Sequence, residues 1–236
     1  EIGLWRRRRH LWAERWTNRL ARRVVVNSEA TRQYVCRTEG LAPERVAFIP
    51  NAVDVELYLN VNRQIARSRL GLPEDLLLLG VVASLAEKKG HEDLFEALCH
   101  CRSQLPPFRL LVVGEGPHRG ALEDKARQGK LSEEVRFLGL RNDVPEILPA
   151  LDILVHPSRS ESLPNAVLEG MAAALAIIAT RVGGTEEAVE PGKTGMLVEP
   201  EDPTALAQAL TRLARLPEER RALGRAAQAV VRERFS

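Results

Sequence analysis

The sequence predicts an α/β fold, a parallel sheet with helices on both faces, and three observations lead there. Strand-like and helix-like stretches alternate along almost the whole chain, the pattern of strands joined by crossover helices. The alternation breaks around P-N-A-V-D, residues 50–54, and then starts again. Apolar content of 44% and charged content of 28% are those of a folded globular chain. Its 236 residues suffice for one large core, or for one domain plus a piece of another.

Taken in order, R-V-V-V-N-S reads as a strand, residues 29–38 as a helix and V-A-F-I-P as a second strand. After the break, residues 64–70 read as a helix, L-L-L-L-G-V-V as a strand and residues 92–105 as a helix. R-L-L-V-V-G, a helix over 119–128, and the short strands V-R-F-L and D-I-L-V follow. Pro164 then opens a helix, since its missing N–H falls where a first turn has no partner anyway. Ala166, Val167, Gly170, Met171 and Ala174 supply that helix with an apolar face. A-I-I-A and G-M-L-V are the last strands, and helices near 204–213 and 217–233 close the chain. Residues 1–51 thus predict the last βαβ piece of one Rossmann-like unit, and residues 52–236 a nearly complete second one.

Net charge is +2 but uneven: residues 1–23 carry eight Arg and two acids, +6, which leaves −4 for the rest. Trp5, Trp12, Trp16 and Leu20 have roughly helical spacing beside those arginines. Such a stripe suits packing on a neighbouring domain outside this sequence, or peripheral contact with a membrane surface. No aromatic-rich platform accompanies the charge, so nucleic acid is not expected. No apolar run has the length of a membrane span, and no secretory signal pattern opens the sequence. Cys36, Cys99 and Cys101 are odd in number and lack zinc spacing, which predicts free thiols and a cytoplasmic protein. Cys99 and Cys101, two apart on a helix, should point to different sides.

The most informative run is E-S-L-P-N-A-V-L-E, bracketed by Glu161 and Glu169. Glu161 lies in the loop before the helix and Glu169 in its second turn, on the stripe of Asn165. The helix start adds free amides and the positive end of a dipole, which suits an anion. Two carboxylates beside such an end make a site for a nucleotide sugar, or merely a capped surface helix; the pair alone does not choose. Gly114 and Gly116 follow a clear strand and allow close backbone approach, but Arg119 stands where a dinucleotide fingerprint needs glycine. Lys88 and Lys89 precede a helix, as a solvated turn or as a charge for a phosphate. His91, His118 and His156 read as isolated loop or packing histidines. P-G-K-T-G is no P-loop, because Glu187 stands where the leading glycine belongs.

In combination, V-A-F-I-P-N-A-V-D, K-K-G-H, V-V-G-E-G-P, V-R-F-L-G, H-P-S, the Glu pair and G-G-T-E-E follow one order. That order resembles the retaining GT-B glycosyltransferases of family 4, the glycosyl transferases group 1 domain, from V-V-V-N-S to the end. The resemblance implies a GT-B type fold whose second, donor-binding half is 52–236, with 1–51 a remnant of the acceptor-side domain. It implies a fragment that is inactive alone.

Residue by residue, the resemblance implies that Glu169 binds the ribose hydroxyls. Glu161 would lie against the donor sugar with the backbone of Ser162, Leu163, Asn165 and Ala166. Lys89 would face the leaving diphosphate, the Gly114–Gly116 loop would lie along the nucleotide, and backbone near Leu140 and Arg141 would meet the base. It departs from the family at Ser84, where an arginine usually partners the lysine. Ala174 and Ala176 replace the Gly and Pro of a turn, a change expected to affect stability. The implied reaction is sugar transfer from a nucleotide diphosphate sugar to a hydroxyl acceptor, with no cofactor and, as no Asp–x–Asp pair stands in the cleft loops, no metal. Alternatives are a non-catalytic nucleotide-sugar-binding subunit, or another GT-B enzyme such as a nucleotide-sugar epimerase. A pyridoxal-type phosphorylase lacks a setting for its lysine, and a glycosidase reading of the Glu pair fits poorly with Glu169 on a helix flank.

Overall fold

A computed structural model describes residues 16–18, 20–59 and 61–236. Trp5 and Trp12 lie outside the described residues, while Trp16 and Leu20 are exposed. Two parallel strands, β1 (Val24–Val26) and β2 (Val46–Phe48), flank helix α1 (Glu29–Glu39). Ser28 caps α1 by accepting from the Thr31 amide, and Gly40 ends it at φ 69°, the left-handed exit that glycine tolerates. This unit has its own small core of Val26, Val35, Leu41 and Val46.

The second sheet has six strands: β3 (Leu77–Val82), β4 (Phe108–Val113), β5 (Val135–Gly139), β6 (Ile153–His156), β7 (Ala176–Thr180) and β8 (Met196–Val198). Their order is β5-β4-β3-β6-β7-β8, and every pairing is parallel. Parallel strands covered on both faces must be apolar on both, hence runs such as L-L-L-G-V-V. Leu77, Leu79 and Val81 face one core with α4 (His91–Cys101), α5 (Arg119–Gln128) and α9 (Pro203–Arg215). Leu78, Leu111, Leu154 and Ile177 face the other, with α7 (Asn165–Ala172) and α10 (Pro217–Arg234). Leu78 and Leu79, adjacent in sequence, are both fully buried, each removal from water being worth about 1.5–3 kcal/mol.

Four expectations need correction. The helix expected over 92–105 ends at Cys101 and tightens into a 3-10 turn over Arg102–Gln104. Ala174 is not on the apolar face of α7: it lies past the helix end at φ 55°, where the chain turns toward β7. The helix itself begins at Asn165, with Pro164 as its cap. Short helices α2 (Glu56–Leu59), α6 (Val144–Ile147) and α8 (Thr185–Ala188) escaped the sequence reading, whereas α3 (Arg63–Arg69) did not. Cys99 is exposed and Cys101 buried, as their spacing required.

The strand order reverses between β3 and β6. Ligands of such open sheets settle outside the carboxyl ends of the strands at this switch point. The loops that end β3, β4 and β6 therefore frame the site.

Candidate functional site

The loop after β3 and the loop after β6 are clasped together. Arg159 N and Ser158 Oγ both donate to the Lys88 carbonyl, at 2.8 and 3.1 Å. Arg159 also grips Asp93 with two guanidinium bonds, at 3.0 and 2.7 Å. Gly90, at φ 66°, leaves no room for a Cβ against the Pro157 carbonyl, so the two loops can close only over glycine.

That closure brings Lys89 to Glu161. Lys89 Nζ donates to Glu161 Oε1 at 2.5 Å, and His156 Nε2 lies 2.9 Å from the same oxygen. An ionised carboxylate only accepts, so the ring nitrogen is the donor. Burial raises the Glu161 pKa, but the hydrogen bond and charge of His156 together with Lys89 outweigh it and hold the group down at about 2. Lys89 is thus no solvated turn residue, and His156 is not isolated. His91, at the start of α4, is 2% exposed with both ring nitrogens unpartnered among the described residues. Burial first, then the charges of His156, Lys89 and His118, push it down to about 4. His91, expected to stand alone, therefore feels the charge of both other histidines.

Glu169 stands in different surroundings. Burial alone raises its pKa, and no cation lies against it among the described residues. Its charge is felt by Tyr58, 6% exposed, whose hydroxyl is pushed up by burial, then by Glu169 and Asp54. In α7, Val167 N and Leu168 N donate to the Pro164 carbonyl at 3.2 and 3.3 Å. The amides of Asn165 and Ala166 precede these first intrahelical bonds and are available to an anion.

The remaining residues divide. Ser84 is exposed at the carboxyl edge of β3, and its carbonyl accepts from Ala86 N at 2.9 Å. At Gly114 a side chain would collide with the Ala83 carbonyl, and at Gly116 with that of Leu85. Those glycines thus serve loop-to-loop packing, whatever else passes over them. Leu140 is 77% exposed, and Arg141 beside it holds Asp143 by two bonds, at 2.7 and 2.5 Å. Leu163 buries its side chain in the core of the larger sheet.

Ser162 is engaged elsewhere. Its hydroxyl meets Thr31 Oγ1 at 2.6 Å and Ser28 Oγ at 3.2 Å, and donates to Asn27. Asn51 adds bonds to the Leu163 carbonyl at 2.9 Å and to Asn165 Oδ1 at 2.7 Å. Glu187 completes the joint, its two oxygens accepting from the amides of Glu29 at 3.0 Å and Ala30 at 2.9 Å. A cleft of about 600 Å³ runs along this joint, lined by Asn27, Thr31, Asn51, Glu161 and Ser162. Sequence reading missed His156, Asn51 and Glu187. For His156 the available signal was a polar residue ending a buried strand five positions before Glu161.

Comparison with known proteins accords with this geometry. Residues 62–230 match the Glycosyl transferases group 1 family, and residues 2–57 match Glycosyltransferase Family 4. D-inositol 3-phosphate glycosyltransferase of Stackebrandtia nassauensis is 31% identical over 201 residues, 80% of this chain and 45% of that protein. The chain spans about half the length of the curated relatives it matches. Sucrose-phosphate synthase of Thermosynechococcus elongatus superposes with a TM-score of 0.89 at 28% identity, over 100% of this chain and 60% of that one. Anabaena HepE in complex with UDP-glucose superposes at 0.88 with 26% identity, over 97% and 64%. Among the described residues no helix is long and apolar enough to cross a membrane. With the six-stranded parallel sheet and the paired loops at its switch point, the match over residues 62–230 establishes that the chain belongs to the glycosyl transferases group 1 family.

Proposed function

We propose that this chain is the donor-binding part of a glycosyltransferase that passes a sugar from a nucleotide diphosphate sugar to a hydroxyl acceptor with retention of configuration. The observation that carries the reading is the meeting of Lys89, Glu161 and His156 at the switch point. Solved relatives hold UDP and UDP-glucose, which supports this donor class.

Lys89 faces the diphosphate and stabilises the negative charge that grows as the sugar bond breaks. Glu161 accepts from sugar hydroxyls, and Glu169, a partly buried carboxylate with no cation against it among the described residues, accepts from the ribose. The Asn165 and Ala166 amides meet phosphate oxygens, and the base lies toward Leu140 and Arg141. Lys89 and the helix amides supply the positive charge, so the reading needs no divalent metal and no cofactor. Residues 52–236 form the donor domain, and residues 1–51 complete an acceptor-side domain whose remainder supplies the acceptor contacts. This chain alone binds donor without transfer.

Titration of the chain with UDP and UDP-glucose tests the reading. Binding of both, with no sugar transferred until the acceptor-side domain is present, is the expected result. Absence of binding would overturn it. Ser84, exposed where the family usually has arginine, favours a second reading, a non-catalytic nucleotide-sugar-binding subunit. Nucleotide binding without turnover in a protein carrying both domains and offered hydroxyl acceptors would select that one.

A further inference from the structure

We propose that His156 is the positioning residue that holds Glu161 toward the donor sugar once Lys89 has turned from Glu161 to the diphosphate. The proposal rests on the donor reading above. Two donors share one oxygen here, Glu161 Oε1, and they differ in freedom. Lys89 carries its charge on a four-carbon stem, with its side chain 16% exposed, and an ammonium on such a stem can swing to a new anion. His156 cannot follow. It is 3% exposed and ends β6 opposite Ala179 of β7.

With Lys89 in place Glu161 is 8% exposed. A buried carboxylate left with no partner at all is strongly disfavoured. His156 keeps one partner in place: Nε2–H fixes Oε1 and leaves Oε2 to accept from a sugar hydroxyl. Lys89 and His156 thus divide the work, one supplying charge that can move to a phosphate and the other orienting the carboxylate.

Isothermal titration of the 236-residue chain with UDP and with UDP-glucose separates the roles. In His156→Phe the UDP-glucose affinity should fall about tenfold while UDP affinity changes less than about twofold, because UDP has no sugar for Glu161 to meet. His156→Gln, which restores one donor, should recover much of the loss. In a Glu161→Gln background His156→Phe should add nothing, since its effect runs through that carboxylate. Equal losses for both ligands, no loss for either, or an undiminished effect in the Glu161→Gln background would overturn the proposal. Should His156→Phe fail to fold, His156→Leu, which also lacks a donor, takes its place: a loss confined to UDP-glucose supports the proposal, and equal losses for both ligands or no loss for either overturn it. If the wild-type chain binds neither ligand, the donor reading falls, and this one with it.

Discussion

Glu161 and Glu169 belong to one short run of sequence, yet their surroundings are opposite. Glu161 sits in the clasped loops at the switch point, with Lys89 at 2.5 Å and His156 at 2.9 Å. Glu169 sits on the flank of α7, shifted by burial alone. One carboxylate is satisfied by two protein donors; the other carries a burial cost that no cation offsets among the described residues. A pair of glutamates defined by spacing need not act as a pair. Their pKa values move apart, and groups so separated hold separate roles.

Acid titration should break or uphold this contrast most visibly. Glu161 is held below its unfolded value, so its stabilisation is complete above about pH 4.5 and disappears as pH falls toward about 2. The shift corresponds to roughly 3 kcal/mol. Urea unfolding between pH 5 and pH 2 should therefore show a steep acid loss in the wild type that is shallower in Glu161→Gln. Parallel profiles would show that the loop does not hold the charge. Glu169 has the opposite sign: raised in the fold, it destabilises near neutrality, and the cost is relieved as pH falls through its folded value.

Glu169→Gln should accordingly make the ligand-free chain slightly more stable at pH 7 while weakening UDP binding. Hydrogen bonds to a charged group are worth about 1.5–3 kcal/mol, roughly ten- to a hundredfold in affinity. Calorimetry showing unchanged binding would remove the ribose role. The switch-point side sharpens through Ser84. Ser84→Arg should strengthen nucleoside diphosphate binding up to about tenfold and monophosphate binding less, because a guanidinium grips two phosphate oxygens at once. Equal shifts would place this loop away from the phosphates.

The smallest effect serves as a control beside Glu169. Ala174, just past the end of α7, holds φ 55°, a conformation that costs a side-chain-bearing residue about 1 kcal/mol. Ala174→Gly should raise thermal stability by up to about that amount and leave UDP affinity untouched. A change in affinity would mean that α7 itself shifts, and the Glu169→Gln result could not be read as a lost hydrogen bond.

Much of the fold was legible because its elements are local. Residues 119–128 were readable as a helix and V-R-F-L as a strand from neighbours alone, and both stand where expected. The strand order was not legible, since it depends on which apolar runs meet across the sheet. Within the site, Glu161 and Glu169 could be singled out by type and spacing and Lys89 by the resemblance to the family, but not the contact between Lys89 and Glu161. That contact depends on Gly90 closing against Pro157, far along the chain. Ser162 shows the limit more sharply. Its amide looked like a sugar contact, yet its hydroxyl is claimed by Asn27, Ser28 and Thr31, residues more than a hundred positions away.

The bonds from Glu187 to the first amides of α1 have a mechanical consequence. They make the joint between the two sheets a detent rather than a smooth bearing. Any rotation that parts them strips both amides of their acceptor at once, at about 1.5–3 kcal/mol for each charge-assisted bond. Intermediate angles would lose those bonds before gaining new ones, so the two sheets should rest in discrete settings. With about 3 kcal/mol at stake, fewer than about one molecule in a hundred would be found with the joint parted. Glu187, which touches no proposed ligand, would then govern how often the cleft beside Glu161 opens.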